Sequence, residues 1–229
     1  GEGAKCLTPM FDELAGSVDA PKHMLTVNGL KRGSGEYQEG ATVLLYAPRV
    51  IGNGFFSHFE GEGILSEERG YALVKMLDHD MTVTAVYDIL GENIAANKPC
   101  EANHSMNNRE SAQKALDGNG HSKWCGNRDE SGICTLSIDL EGVYEPKSYL
   151  ICHAGAIESK LWNTVDFDIL VKEKEEDEFV VADSVRGNEE DVTNRPLNCS
   201  KVRYVMLKIY TPAKDGDTHA RIYHFGLFE

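Results

Sequence analysis

The chain has 229 residues, 41% of them hydrophobic, with 22 Gly, 7 Pro and a formal net charge of −14. That length buries a real core and suits two domains, and no apolar run approaches the roughly 18 residues of a membrane span. The balance of 23 Lys+Arg against 37 Asp+Glu, without a basic cluster, argues against nucleic acid as a partner, because phosphate binding needs a basic face.

The opening GEGAKCLTP reads as an internal cut of a longer protein or a tag remnant, so missing targeting signals carry no weight. Met10–Leu14 reads as one short helix inside an N-terminal segment, residues 1–23, that ends a preceding module. From residue 24 strand signals dominate. MLTVN (24–28), ATVLLYA (41–47), GFFSHFE (54–60), YALVKML (71–77) and MTVTAVYD (81–88) are β-branched or aromatic runs separated by Gly, Asn and Asp. In the last of them Val83, Ala85 and Tyr87 alternate with Thr82, Thr84 and Val86, the pattern of a half-buried strand.

The segment DILGENIAANKPCEANHSMNN (88–108) is polar and broken by Gly, Asn and Pro, which places a domain boundary near residue 90. Further strands follow: LSIDL (136–140), YLICH (149–153), VDFDILV (165–171), FVVAD (179–183), VRYVMLKIY (202–210) and RIYHFGLF (221–228). Val165, Phe167, Ile169 and Val171 share one face. Spaced short strands with long polar loops predict an all-β sandwich or jelly roll over residues 91–229. KEKEEDE (172–178) reads as a solvated loop.

Six cysteines, at 6, 100, 125, 134, 152 and 199, form no CxxC and no zinc spacing. Disulfides and buried free thiols are equally compatible with them. No GxSxG, HExxH, Walker loop or pre-helical GxGxxG is present. Cys152 and His153 adjoin, but neighbours on a strand point to opposite faces and cannot form a dyad. Binding fits the residues better than catalysis. In HAGAIESKLWNTVDF (153–167), His153, Glu158 and Asn163 offer hydrogen-bonding groups for sugar hydroxyls, and Trp162 offers a ring for the apolar face of a pyranose. The alternative is a Trp162 packed on the sandwich edge and an Asn163 that caps a turn. In KALDGNGHSKW (114–124), Asp117, Asn119 and Ser122 make an oxygen-rich turn of the kind that holds calcium, or an ordinary DG turn.

Several pieces in order, NIAANKPCEA, SAQKALDGNGHSKWC, LSIDLEGVYEP, HAGAIESKLWNTVDFDILV, VADSVRGNEEDVTNR, VRYVMLKIY and DGDTHARIYHFGLFE, span residues 93–229. This region resembles the discoidin-like, coagulation-factor C-type domains, and in particular the family 32 carbohydrate-binding modules of bacterial glycoside hydrolases. The resemblance implies a galactose-binding-like β-sandwich without catalytic activity. It implies a sugar site of His153 and Asn163, with Glu158 and Trp162 beside them and Arg186 and Asn188 standing in for an arginine that Val165 replaces. It implies a structural calcium held by the turn Lys114, Asp117, Asn119 and Ser122, with His224 where a glutamate is usual. LTVNG, SGEYQEGATVLLYA, GFFSHFEGEG and MLDHDMTVTAVYD, over residues 24–90, resemble the internalin-type B-repeat, a small β-grasp-like spacer.

The expectation is therefore a non-catalytic region of a secreted or surface-anchored bacterial glycoside hydrolase. It would be monomeric and joined to a catalytic module of the same parent chain, and it would bind galactose- or GalNAc-terminated mucin-type glycans. The alternative is an adhesion module for a protein ligand, since fold does not fix ligand.

Overall fold

The computed structural model describes residues 19–229, so the helix expected over Met10–Leu14 lies outside the described residues. Contacts divide the chain into two compact units, one running to Ile89 and one from Leu90 to Glu229, with Ile51–Asn53 grouped with the second.

Up to Ile89 the strands are β1 (Lys22–Asn28), β2 (Gly35–Gln38), β3 (Thr42–Tyr46), β4 (Val50–Ile51), β5 (Gly54–Gly61), β6 (Ile64–Glu68), β7 (Tyr71–Lys75) and β8 (Met81–Ile89). They form a five-stranded sheet, β2-β1-β8-β5-β4, and a three-stranded sheet, β3-β7-β6. The first and last strands, β1 and β8, pair in parallel, Leu25 opposite Met81. Period two decides what is inside. Met81, Val83 and Ala85 are buried with Leu25, Val43, Leu45, Phe56 and Val74, while Thr82 faces water.

The second unit contains β9 (Cys100–Ala102), β10 (Trp124–Asn127), β11 (Cys134–Tyr144), β12 (Ser148–His153), β13 (Asp166–Lys172), β14 (Val180–Val185), β15 (Val192–Pro196), β16 (Val202–Thr211) and β17 (His219–Phe228). A four-stranded sheet, β10-β17-β12-β15, and a five-stranded sheet, β14-β13-β16-β11-β9, are antiparallel at every pairing. Trp124, Leu136, Tyr149, Ile151, Phe167, Ile169, Val205, Leu207, Phe225 and Leu227 join in one core. The fold is an all-β sandwich. Phe167, Ile169 and Val171 point inward as their spacing requires, but Val165 falls just before β13.

Trp124 is fully buried, and its indole N–H donates to the His104 carbonyl at 3.0 Å. Trp124→Ala is expected to cost about 3–5 kcal/mol, read as a lower urea midpoint by circular dichroism. Cys100, Cys125, Cys134, Cys152 and Cys199 form no disulfide among the described residues. Cys134 sits in the core, where burial pushes its thiol up to about 11, so it packs as a small hydrophobe.

Candidate functional site

The connection between β12 and β13 is built around buried polar groups. β12 ends at His153, a helical turn spans Ala154–Ala156, and Ser159 caps a second turn, Lys160–Trp162, by accepting the Leu161 N–H at 3.2 Å. Asn163 then folds back beneath the loop. Its Oδ1 accepts the Gly155 N–H at 2.6 Å, and its Nδ2 donates to Asp191 Oδ1 at 3.0 Å. His153 gives its backbone N–H to the Asp191 carbonyl (2.9 Å), pairs through Nε2 with Thr193 Oγ1 (2.8 Å) and packs its ring 5.7 Å from Phe167. Asn188 donates to the Thr164 carbonyl at 2.9 Å and accepts the Glu190 N–H at 3.1 Å.

His153 and Asn163 are fully buried and Asn188 nearly so. They scaffold the loop, Asn163 and Asn188 through bonds to backbone groups and His153 through Thr193, while His153 Nδ1 has no hydrogen-bond partner. Arg186 is half-exposed and follows β14 directly. Its guanidinium pairs with Asp168 at 2.8 Å, lies over the Tyr210 ring and is hydrogen-bonded to the Phe167 carbonyl, all on the outer side of the five-stranded sheet.

The other two expected residues meet in a cleft. A hollow of about 350 Å³ beside edge strand β10 is lined by Met106, Glu110, Lys123, Cys125, Glu158, Trp162, His219 and Arg221. The Trp162 indole N–H donates to Asp215 Oδ2 at 3.0 Å, and the Arg221 guanidinium lies 4.5 Å from the ring centroid. A chain of alternating charge runs along the wall. Glu110 is 3.6 Å from Lys123, Lys123 pairs closely with Glu158, and Glu158 is 3.7 Å from Arg221. Arg221 donates to Asp217 at 2.7 Å, and Asp217 holds His219 Nδ1 at 2.7 Å. Burial pushes the Asp217 carboxyl up, but hydrogen bonds from Arg221 and His219 outweigh it and hold the group well below the usual carboxylate range.

Such a wall offers donors and acceptors side by side next to an aromatic ring, which suits a ligand rich in hydroxyls. Burial raises the thiol of Cys125, the one cysteine in the cleft, so it is kept in its unreactive form. Six lining residues were not foreseen: Met106, Glu110, Lys123, Cys125, His219 and Arg221.

The expected calcium turn is present as a turn, but its donor set fits a hard divalent cation poorly. Its one carboxylate, Asp117, already takes the Lys114 ammonium at 3.1 Å and lies 2.8 Å from the Ser122 hydroxyl. Among the described residues no group of three His, Cys, Asp or Glu side chains is placed to hold a metal.

No family model and no curated protein matches the chain. Solved structures do match. A family 32 carbohydrate-binding module from Streptococcus pneumoniae EndoD is 24% identical over 60% of this chain and 99% of its own, with a TM-score of 0.52. Chitosan-binding module 2 of a chitosanase/glucanase from Paenibacillus sp. IK-5, in complex with chitotriose, is 15% identical over 60% and 100%, with a TM-score of 0.51. A Streptococcus pneumoniae fucose binding module is 19% identical over 60% and 98%, with a TM-score of 0.50. The chain shares their fold. The matched share is about the length of the second unit, so the β-sandwich carries the likeness.

Proposed function

We propose that the second unit is a carbohydrate-binding module that seats one or two sugar rings in the cleft beside Trp162. The observation that carries this reading is the aromatic ring set against a wall of paired donors and acceptors, Lys123, Glu158 and Arg221, in a hollow of about 350 Å³. Solved modules of this fold are described as binding fucose and chitotriose, which supports the same class of ligand here.

The finer reading is a galactose- or GalNAc-terminated glycan of host or mucin type. The module would be the non-catalytic, monomeric targeting region of a secreted or surface-anchored bacterial glycoside hydrolase. The first unit would act as its spacer, in the manner of an internalin-type B-repeat. A shallow site of this size supports a dissociation constant of roughly micromolar to millimolar, useful when several modules share a chain.

A glycan array followed by calorimetry tests the proposal. Trp162→Ala and Glu158→Gln are each expected to weaken the best glycan by about tenfold or more, since a lost stacking or charged hydrogen-bond contact exceeds roughly 1.4 kcal/mol. Circular dichroism should show the fold retained. Binding of a protein partner with no glycan bound, or full affinity in Trp162→Ala, would defeat the reading.

A further inference from the structure

The turn that follows Ala112–Ala115 is already closed by a cation belonging to the chain itself. Lys114 Nζ lies 3.1 Å from Asp117 Oδ2. The other carboxylate oxygen accepts the Asn119 N–H at 2.9 Å, and the Ser122 Oγ lies 2.8 and 2.9 Å from the two oxygens. The Asn119 side-chain oxygen is likewise in use, accepting the His121 N–H at 3.2 Å. The side-chain oxygens of Asp117 and Asn119 thus point at N–H and O–H donors, whereas a calcium shell needs several oxygens converging at about 2.3–2.6 Å.

Charge gives the same answer. Lys114 against Asp117 sums to zero, while a divalent ion added to that pair would leave a net charge of +2 beside a single carboxylate. Asp117 is only 17% exposed, so the imbalance would be weakly screened. Asp117 exerts a field on neighbouring His224, whose imidazole is a poor ligand for a hard cation. His224 is buried, and its Nε2 has no hydrogen-bond partner.

We propose that the Lys114 ammonium takes the place of a divalent cation in this turn, so that the β-sandwich unit folds and keeps its cleft without calcium. The turn lies between Ala112–Ala115 and the start of β10, and β10 supplies Cys125 to the cleft next to Lys123. An ion pair and a hydroxyl contact across positions 114, 117 and 122 therefore hold the approach of a wall of the site. This role of Lys114 is independent of what the cleft binds.

The test is a thermal melt of the full chain in excess chelator and in added calcium, for the wild type, Lys114→Met and the pair Lys114→Met/His224→Glu. The wild type is expected to melt at the same temperature in both. Lys114→Met should melt roughly 2–4 °C lower, the shift that follows the loss of one partly buried interaction in a domain of this size. The double variant, with a second carboxylate beside Asp117, should gain a rise in melting temperature with calcium alone. A wild type that melts earlier in chelator, or that carries stoichiometric calcium by elemental analysis, overturns the proposal. So does Lys114→Met melting as the wild type does, or a folded double variant indifferent to calcium. Should the double variant not fold, the wild-type comparison decides.

Discussion

Gly155→Ala is expected to destabilise the second unit by about 2–6 kcal/mol and to weaken glycan binding with it. A Cβ at position 155 would stand against Asp191 Oδ1 and only 2.6 and 2.8 Å from the Oδ1 and Nδ2 of Asn163. Neither neighbour can retreat. Asn163 is fully buried and spends its amide on the Gly155 N–H and on Asp191. Overpacking costs about 1–3 kcal/mol, and a buried hydrogen bond broken on one side adds about 1–3 kcal/mol. Residues 154–164 carry Glu158 and Trp162 into the cleft, so a displaced Asn163 should cost the ligand as well.

Chemical unfolding and calorimetry on Gly155→Ala, Asn163→Ala and the pair measure this. The two single losses should combine to less than their sum, because truncating Asn163 relieves part of the clash. A Gly155→Ala protein with the wild-type midpoint would show that the loop is not packed as described.

The same loop shows what the sequence could and could not disclose. The window 153–167 singled out a connection of which Glu158 and Trp162 line the cleft. It could not say which of its side chains face water. That depends on Asp191, Thr193 and Asn188, which draw Asn163 and His153 inward from a distant stretch of chain. Glu110, Lys123 and Arg221 come from three other segments, so no local pattern unites them. Lys123 stood inside KALDGNGHSKW and Arg221 inside RIYHF, stretches read for a cation turn and for His224.

The strands divide along similar lines. Those with buried alternation, such as Met81–Ile89 and Asp166–Lys172, were legible because their own side chains specify the inward face. Gly35–Gln38, Val50–Ile51, Ile64–Glu68, Cys100–Ala102, Trp124–Asn127 and Val192–Pro196 were not. They are short or polar, and neighbouring strands make them extended by supplying ladder partners.

Acid is expected to unfold the second unit well before its carboxylates are neutralised. Burial lowers the His153 imidazole to about 3, with the Asp191 charge opposing in part, and lowers His224 to about 4, with Asp117 opposing. Both rings are therefore neutral in the fold and would be charged in the unfolded chain below their ordinary value of about 6.5. The sign follows: the contribution is complete above about 6.5 and is lost as pH falls toward the folded values. At roughly 1.4 kcal/mol for each unit of displacement, the two together amount to several kcal/mol, against a total stability of about 5–15 kcal/mol. Carboxylates held low, among them Asp129 at about 2, add their own loss only below about 4, so the two windows separate. Both tryptophans, Trp124 and Trp162, lie in the second unit. Their fluorescence against urea, followed from about pH 7.5 to pH 4.5, therefore reports this unit alone. His224→Met removes a titrating ring whose Nε2 has no hydrogen-bond partner, so it should flatten the slope without a large loss at neutral pH. A wild-type midpoint unchanged across that range would mean that these histidines are not buried in neutral form.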